Sequence, residues 1–218
     1  MTDTTTKDKI LDSAEKLFAA NGFAVTSLRA IIKDAGVNTA SVHYHFGCKE
    51  GLVEAVLTRR AAPVNLERLE RLERLERDHP NGPLPLEAVI EAFLASALQR
   101  HFGPTQNGGL FARLMGRAIA EPEEKLRAII QKIFGEVLTR FSTAFKRALP
   151  DLAQEEVHWL MHFMIGAMVF TVTVPKMQAE GEPLPERRDS ERMVSRLVEF
   201  VAGGMRSTVT GTGQGGRR

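Results

Sequence analysis

The sequence predicts an all-α fold, and three observations carry that expectation. Apolar residues recur at i, i+3 or i+4 and i+7 through one segment after another, the period of a helix with one buried face. Glycine and proline clusters separate those segments, as they do between helices. Only 6% of the residues are aromatic and Val/Thr alternation is scarce, which argues against a sheet-rich core. With 43% hydrophobic and 26% charged residues among 218, the chain has the make-up of an ordinary globular protein and the length for one or two compact domains.

The elements follow in order. In Thr6–Asn21, Ile10, Leu11, Ala14, Leu17 and Phe18 form one helical face, and Asn21-Gly22 supplies the stop. Phe23 is placed to anchor under the next helix. Thr26 or Ser27 is a natural N-cap for a second helix, whose buried face is Leu28, Ile31, Ile32 and Ala35. Gly36 ends it, Val37 packs in the turn, and Asn38 caps a very short third helix from Thr39 to about Phe46, with Val42 and Phe46 facing inward. Gly47 ends that helix, and Lys49 begins a fourth carrying Leu52, Val53, Val56 and Leu57. Thr26 to Leu57 therefore reads as a helix-turn-helix, the unit that lays its second helix in the major groove of DNA.

The run Glu67 to Arg77, ERLERLERLER, repeats every three residues, so its leucines spiral around a helix instead of forming a heptad seam. Three i,i+4 pairs (Glu67–Arg71, Glu70–Arg74 and Glu73–Arg77) would each support it by about 0.3 kcal/mol, and it reads as a solvated connecting helix that His79 to Pro83 breaks. Further helical patterns span Pro85–His101, Gly109–Ala120, Glu123–Leu149, Gln154–Val174 and Arg188–Arg206. Residues 1–58 are expected to form the helix-turn-helix domain, 59–207 a second helical domain, and the glycine-rich 208–218 a disordered tail.

Three stretches resemble the TetR family of bacterial transcriptional repressors: IxxxAxxLFxxNGF (Ile10 to Phe23), TSLRxIxxxAGV (Thr26 to Val37) and SVHYHFGCKEGLVEAV (Ser41 to Val56). The likeness covers roughly residues 6 to 58 and rests on Gly22, Gly36, His45-Phe46, Lys49-Glu50 and their spacing. It implies that Tyr44 and His45 contact the DNA backbone and that Lys49 clamps a phosphate. Two positions depart from the family: His43 stands where tyrosine is common, and Cys48 where serine usually caps the fourth helix.

The residues support a DNA contact independently. The start of the second helix offers free N–H groups and a hydroxyl from Thr26 or Ser27, which suit a phosphate oxygen. Arg29, one turn in, can reach a guanine edge or a phosphate, or else pair with Asp34 or Glu15. Asn38, Thr39, Ser41 and His43 lie at the start or on the outer side of the third helix, away from Val42 and Phe46, and are candidates for base or sugar contacts. Residues 1–60 carry eight Lys/Arg against seven Asp/Glu, so one copy alone would bind weakly. Two copies would double the phosphate contacts and match a palindromic double-stranded operator. Dimerisation is therefore expected.

The homodimer is expected to form on the last two helices, through Trp159, Phe163, Gly166, Ala167 and Phe170 on one and Met193, Leu197 and Phe200 on the other, as a four-helix bundle of the kind the family uses. The helices between would frame an apolar pocket for a hydrophobic effector. Its candidate lining is Phe93, Leu98, Phe102, Phe111, Leu114, Met115, Phe134, Leu138, Phe141 and His162. Arg113 to Phe170 resembles the regulatory domain of TetR-type repressors that answer to long-chain fatty acids or their CoA esters, which implies an amphipathic, mostly apolar ligand with Arg113, Arg117 or Arg140 near its polar end.

Several classes are set aside. His158 and His162 share a face with Glu155, but no further ligand converges on them, so no metal site and no cofactor is expected. No nucleophile–base set argues for an enzyme. One cysteine, Cys48, allows no internal disulfide and fits a reducing cytosol. The polar N-terminus reads as no signal peptide, and the apolar run Trp159 to Pro175 is interrupted by His162, Thr171 and Thr173, so a cytoplasmic protein without membrane contact is expected. The expected function is a ligand-released dimeric repressor, the alternative a constitutive DNA-binding dimer without an effector.

Overall fold

A computed structural model describes residues 5–102, 108–121, 123–173 and 190–212, the side chains of residues 111, 173 and 209–212 excepted. The described residues form nine α-helices and no strand: α1 (Thr6–Asn21), α2 (Leu28–Ala35), α3 (Thr39–Phe46), α4 (Lys49–Asp78), α5 (Leu86–Phe102), α6 (Gly108–Ala120), α7 (Glu124–Ala148), α8 (Gln154–Thr173) and α9 (Ser190–Thr212). The all-α expectation holds. The chain divides into two compact units, residues 1–63 with 109–135 and residues 64–108 with 136–218, so α4 and α7 each contribute to both.

In the first unit the helix ends are built by local side chains. Thr5 caps α1 by accepting from Asp8 N–H, Ser27 caps α2 by accepting from Ala30 N–H, and Asn38 caps α3 by accepting from Ser41 N–H. Gly36 closes α2 at φ 64° and ψ 34°, the left-handed geometry that glycine adopts without steric cost. The core joins Ile10, Ala14 and Phe18 of α1 to Ile31, Val42, Leu52 and Leu57, and Phe23 stacks on Phe18 with ring centroids 5.0 Å apart. On α2 only Ile31 is fully buried; Leu28, Ile32 and Ala35 are half-buried. Leu114 and Ala118 of α6 and Leu126 of α7 complete this core, with Met115, Ile129, Ile130 and Ile133 packed against it.

The second unit centres on α5, which is buried on every side from Ala92 to Leu98 and packs against α8 and α9. The ERLERLERLER stretch is not a solvated connector. It is the second half of one helix that begins at Lys49 and contains Pro63, and Val64, Arg68 and Leu72 are buried. Of the three expected pairs only Glu67–Arg71 forms, at 2.8 Å; Glu73 and Glu76 instead meet Arg140 of α7, at 4.0 and 2.8 Å. At the other end α9 runs to Thr212, so Thr208 to Thr212 are helical where a disordered tail was expected, and the rest of that stretch lies outside the described residues. No helix among the described residues is long and apolar enough to cross a membrane.

Candidate nucleic-acid interface

The helix-turn-helix places the predicted contact residues in three different situations. Arg29, Thr39, His43, Tyr44 and His45 are exposed, Tyr44 at 85%, its ring edge-on to His45 at 5.0 Å. Neither proposed acid takes Arg29. Asp34 accepts from the Ser13 hydroxyl and pairs with Lys16 at 2.9 Å, and Glu15 is enclosed by Arg59 and Arg60. The Ser13 hydroxyl and then Lys16 hold the Asp34 carboxyl below its ordinary range. Arg29 is thus left facing solvent with Lys33, one turn further on the same polar face; the i,i+4 spacing was the signal that sequence reasoning passed over for Lys33.

A second group spends its polar atoms inside the protein. Thr26 is buried, and its hydroxyl donates to Gly22 O at 2.7 Å, so the cap and any hydroxyl offered to a phosphate belong to Ser27. Asn38 Oδ1 accepts from both the N–H and the hydroxyl of Ser41, at 2.8 and 2.9 Å, which ties the start of α3 together. The His43 Nδ1 lies 2.7 Å from Gly47 O. This leaves its Nε2 edge as the side available to DNA. The third situation is that of Lys49, half-buried, whose Nζ donates to Ala24 O at 3.0 Å and so braces the loop before α2.

That loop is held from another direction. Arg117 of α6 donates from Nε to Ala19 O at 3.0 Å and from Nη2 to Ala20 O at 2.6 Å, filling acceptors at the C-terminal end of α1. The Glu121 carboxylate accepts from Phe23 N–H at 2.9 and 3.1 Å and from Ala24 N–H at 2.9 Å. Between these lies Gly22, at φ 93°, where a Cβ would sit 2.5 Å from Glu121 Oε1. A little further round, Lys125 of α7 pairs with Glu50 at 2.6 Å and Lys132 with Glu54 at 2.5 Å. The Lys125 hydrogen bond, with the Glu50 backbone N–H and the Cys48 side chain, pulls the Glu50 carboxyl down to about 2. Arg117 therefore braces the end of α1 with donors it does not turn toward the polar end of a ligand pocket, and Glu121 is a positioning residue that no sequence motif announced.

The predicted pocket lining divides between the units. Leu114 belongs to the first unit's core, Met115 and Phe134 are half-buried in that unit, and Arg113 is exposed. The side chain of Phe111 lies outside the described residues. In the second unit Phe93, Leu98 and Phe141 are core residues, with the Phe93 and Phe141 rings edge-on at 5.0 Å, and Phe102 is half-buried beside His101. Leu138 and His162 do line a groove of about 450 Å³ between α7 and α8, with Ser142, Gln154, Met161 and Ile165. His158 and His162 are both exposed, and no group among the described residues gathers three metal-ligating side chains.

On α8 and α9, Trp159 (57%), Phe163 (66%), Phe170 (58%) and Phe200 (72%) are exposed, with Gly166 among them and Ala167 half-buried. Trp159 and Phe163 stack at 6.1 Å. Leu197 instead faces inward and Met193 is half-buried, since α9 uses that side against α5.

Comparison with known proteins agrees with this geometry. A family model described as "Bacterial regulatory proteins, tetR family" matches residues 10–56, and one described as "Tetracyclin repressor-like, C-terminal domain" matches residues 91–204. The chain is 49% identical over 53 residues to the "Probable HTH-type transcriptional regulator YttP" of Bacillus subtilis (strain 168), a match covering 24% of this chain and 26% of that one. It is 35% identical over 52 residues to the "HTH-type transcriptional regulator UidR" of Escherichia coli (strain K12), again 24% and 26%. The chain thus spans about a quarter of the length of these relatives. Among solved structures, the fatty acid degradation regulator FadR from Bacillus halodurans matches with a TM-score of 0.66 and 15% identity over 94% of this chain and 99% of that one. Salmonella enterica GusR matches at 0.55 and 17% over 91% and 94%. At these identities the likeness shows the fold.

Proposed function

The chain belongs to the TetR family; from that premise we propose that it is a DNA-binding transcriptional regulator and acts as a homodimeric repressor, released from a palindromic operator by a hydrophobic small molecule. The observation that carries this reading is the exposed aromatic row of Trp159, Phe163 and Phe170 on α8, with Phe200 exposed on α9. A monomeric protein rarely leaves so many large apolar side chains in water on one face, and a second copy of the same face would cover them. The nearly neutral charge of residues 1–60 adds a need for two reading heads.

In this reading α3 enters the major groove and presents Thr39, His43 and Tyr44, while Ser27, His45, Lys33 and Lys49 face the phosphates and Arg29 reaches a base edge. Asn38 and Ser41 shape the start of α3. An apolar ligand in the second unit, at the groove lined by Leu138, Met161 and Ile165, favours a conformation that binds DNA less well, and by linkage DNA weakens ligand binding equally. A fatty acid or its CoA ester is the effector class we favour; FadR, whose fold this chain shares, is a regulator of fatty acid degradation.

The test is fluorescence anisotropy on DNA from upstream of the protein's own coding sequence. Saturable, salt-sensitive binding to a palindrome, relieved by one member of a hydrophobic library, is expected. Binding that no such compound alters would favour the constitutive dimer, and no specific binding would end the reading.

A further inference from the structure

Two charged side chains are buried among the described residues, Glu15 and Arg68, and only one of them is neutralised. Glu15 sits between Arg59 and Arg60. Arg68, on α4 in the second unit, has no carboxylate within ion-pair distance among the described residues. Its Nε donates to Phe93 O at 2.8 Å, and Nη1 and Nη2 reach Asn65 Oδ1 and Met168 Sδ only at 3.5 Å. Its guanidinium lies over the Phe93 ring, 4.1 Å from the centroid. The neighbouring carboxylate, Glu67, is turned to Arg71 and Arg100. Burial pushes the guanidinium down to about 10, which still leaves it a cation at neutral pH. A buried cation served by neutral and weak acceptors costs the fold more than an apolar side chain of similar length would.

A second observation lies on the facing helix. Ser96 of α5 is wholly buried, and its hydroxyl has no hydrogen-bond partner among the described residues. Phe93, Ser96 and Arg100 are spaced i, i+3 and i+7, one face of α5. Phe93 meets Arg68, and Arg100 meets the residue before it, so Ser96 lies on the strip that faces this part of α4. Among the described residues, a cation without an anion on α4 thus faces the strip of α5 that carries a hydroxyl without an acceptor.

We infer that Arg68, with Ser96, is the anchor for the carboxylate of the effector, and that the effector is therefore a free monocarboxylic acid with an apolar chain. The carboxylate would accept two N–H bonds from the guanidinium and one O–H bond from Ser96. The groove between α7 and α8 gives the chain its place and the head its route. Met161 and Ile165 line the groove, and Met168 continues the same stripe of α8 one turn on, ending against Arg68. Methionine is the unbranched side chain best able to swing aside for a head group. From α7, Phe141 packs on the Phe93 ring that carries Arg68. A CoA ester, which lacks the free carboxylate, does not fit this anchor.

This inference rests on the ligand-responsive reading, and the experiment separates the two. Binding of dodecanoate and of methyl dodecanoate is followed by calorimetry at pH 7 in the full chain, in R68M, R68K and S96A, together with each protein's thermal midpoint. The unsubstituted protein should prefer the acid by ~10-fold or more, as charge-assisted hydrogen bonds require. R68M should bind acid and ester alike and melt higher than the parent, because the unpaired charge is gone. R68K keeps the charge without the planar fork and should retain a reduced preference; S96A should weaken only the acid. Equal binding of acid and ester by the parent, or a preference that survives in R68M, overturns the anchor and leaves ligand response standing. A lower midpoint for R68M assigns Arg68 to structure and overturns the anchor too. If neither compound binds and no hydrophobic compound alters operator affinity, both readings fall together.

Discussion

Arg29 and Lys49 are both cations of the helix-turn-helix, but the structure gives them different work. Arg29 is exposed and unclaimed by Asp34 or Glu15, so its fork is available to a base edge, whereas Lys49 already braces Ala24 O and can offer its remaining donors to a phosphate. Arg29→Ala should therefore relax specificity at particular operator positions, by about 1–3 kcal/mol at a guanine it reads. Lys49→Ala should weaken all sequences alike and reduce the salt slope by about 1 per subunit. Anisotropy against a panel of single-base operator variants at several salt concentrations checks both, and equal losses on every sequence for both substitutions would remove the distinction. Glu121 makes a prediction of another kind. Its carboxylate satisfies the N–H groups of Phe23 and Ala24, so Glu121→Ala should cost about 1–3 kcal/mol in stability, read by urea unfolding, and lower operator affinity without changing base preference.

At the scale of elements, α6 and the start of α7 belong to the core that holds the DNA-reading helices. A fragment ending at residue 63 loses the cover of Leu114, Ala118 and Leu126 and the clamps from Arg117 and Glu121. It should melt well below the full chain by circular dichroism, and an equally cooperative transition at the same temperature would show that cover to be dispensable. The α7–α4 pair adds a pH signature. Lys125 first, then the Glu50 backbone N–H and the Cys48 side chain, lower the folded carboxyl of Glu50 from 4.5 to about 2, so the contribution of the Lys125 pair is present above pH 4.5 and is lost as pH falls toward 2. The stability difference between the parent and Lys125→Ala should shrink over that window; a difference that stays constant down to pH 2 would place its origin elsewhere.

For the molecule as a whole, the exposed face on α8 and α9 should decide both assembly and affinity. Phe163→Arg puts a charge at its centre without touching the core, since Phe163 is 66% exposed. Sedimentation should show monomer where the parent is a dimer, with the helical content unchanged, and operator affinity should fall with the loss of the second reading head. An unchanged dimer would move the interface off these helices.

Local chemistry settled much of this in the sequence. Capping residues, glycine stops and apolar periodicity depend on neighbours a few positions apart, so α1 to α3, the stop after α4 and the bounds of α5 to α8 were legible there. The exposed face of α3 was legible too, because Val42 and Phe46 fixed which side turned inward. Tertiary structure decided what depends on residues far apart in the chain. It buried Thr26, turned Arg117 onto the end of α1 and Glu121 onto the loop after it, both nearly a hundred positions away, gave Glu73 and Glu76 to Arg140, and placed Arg68 among Phe93 and Met168 with no carboxylate beside it among the described residues. Charged side chains have long reach and no period, so their partners follow from packing and not from spacing. The helix-turn-helix was written in its own residues; what holds it steady was not.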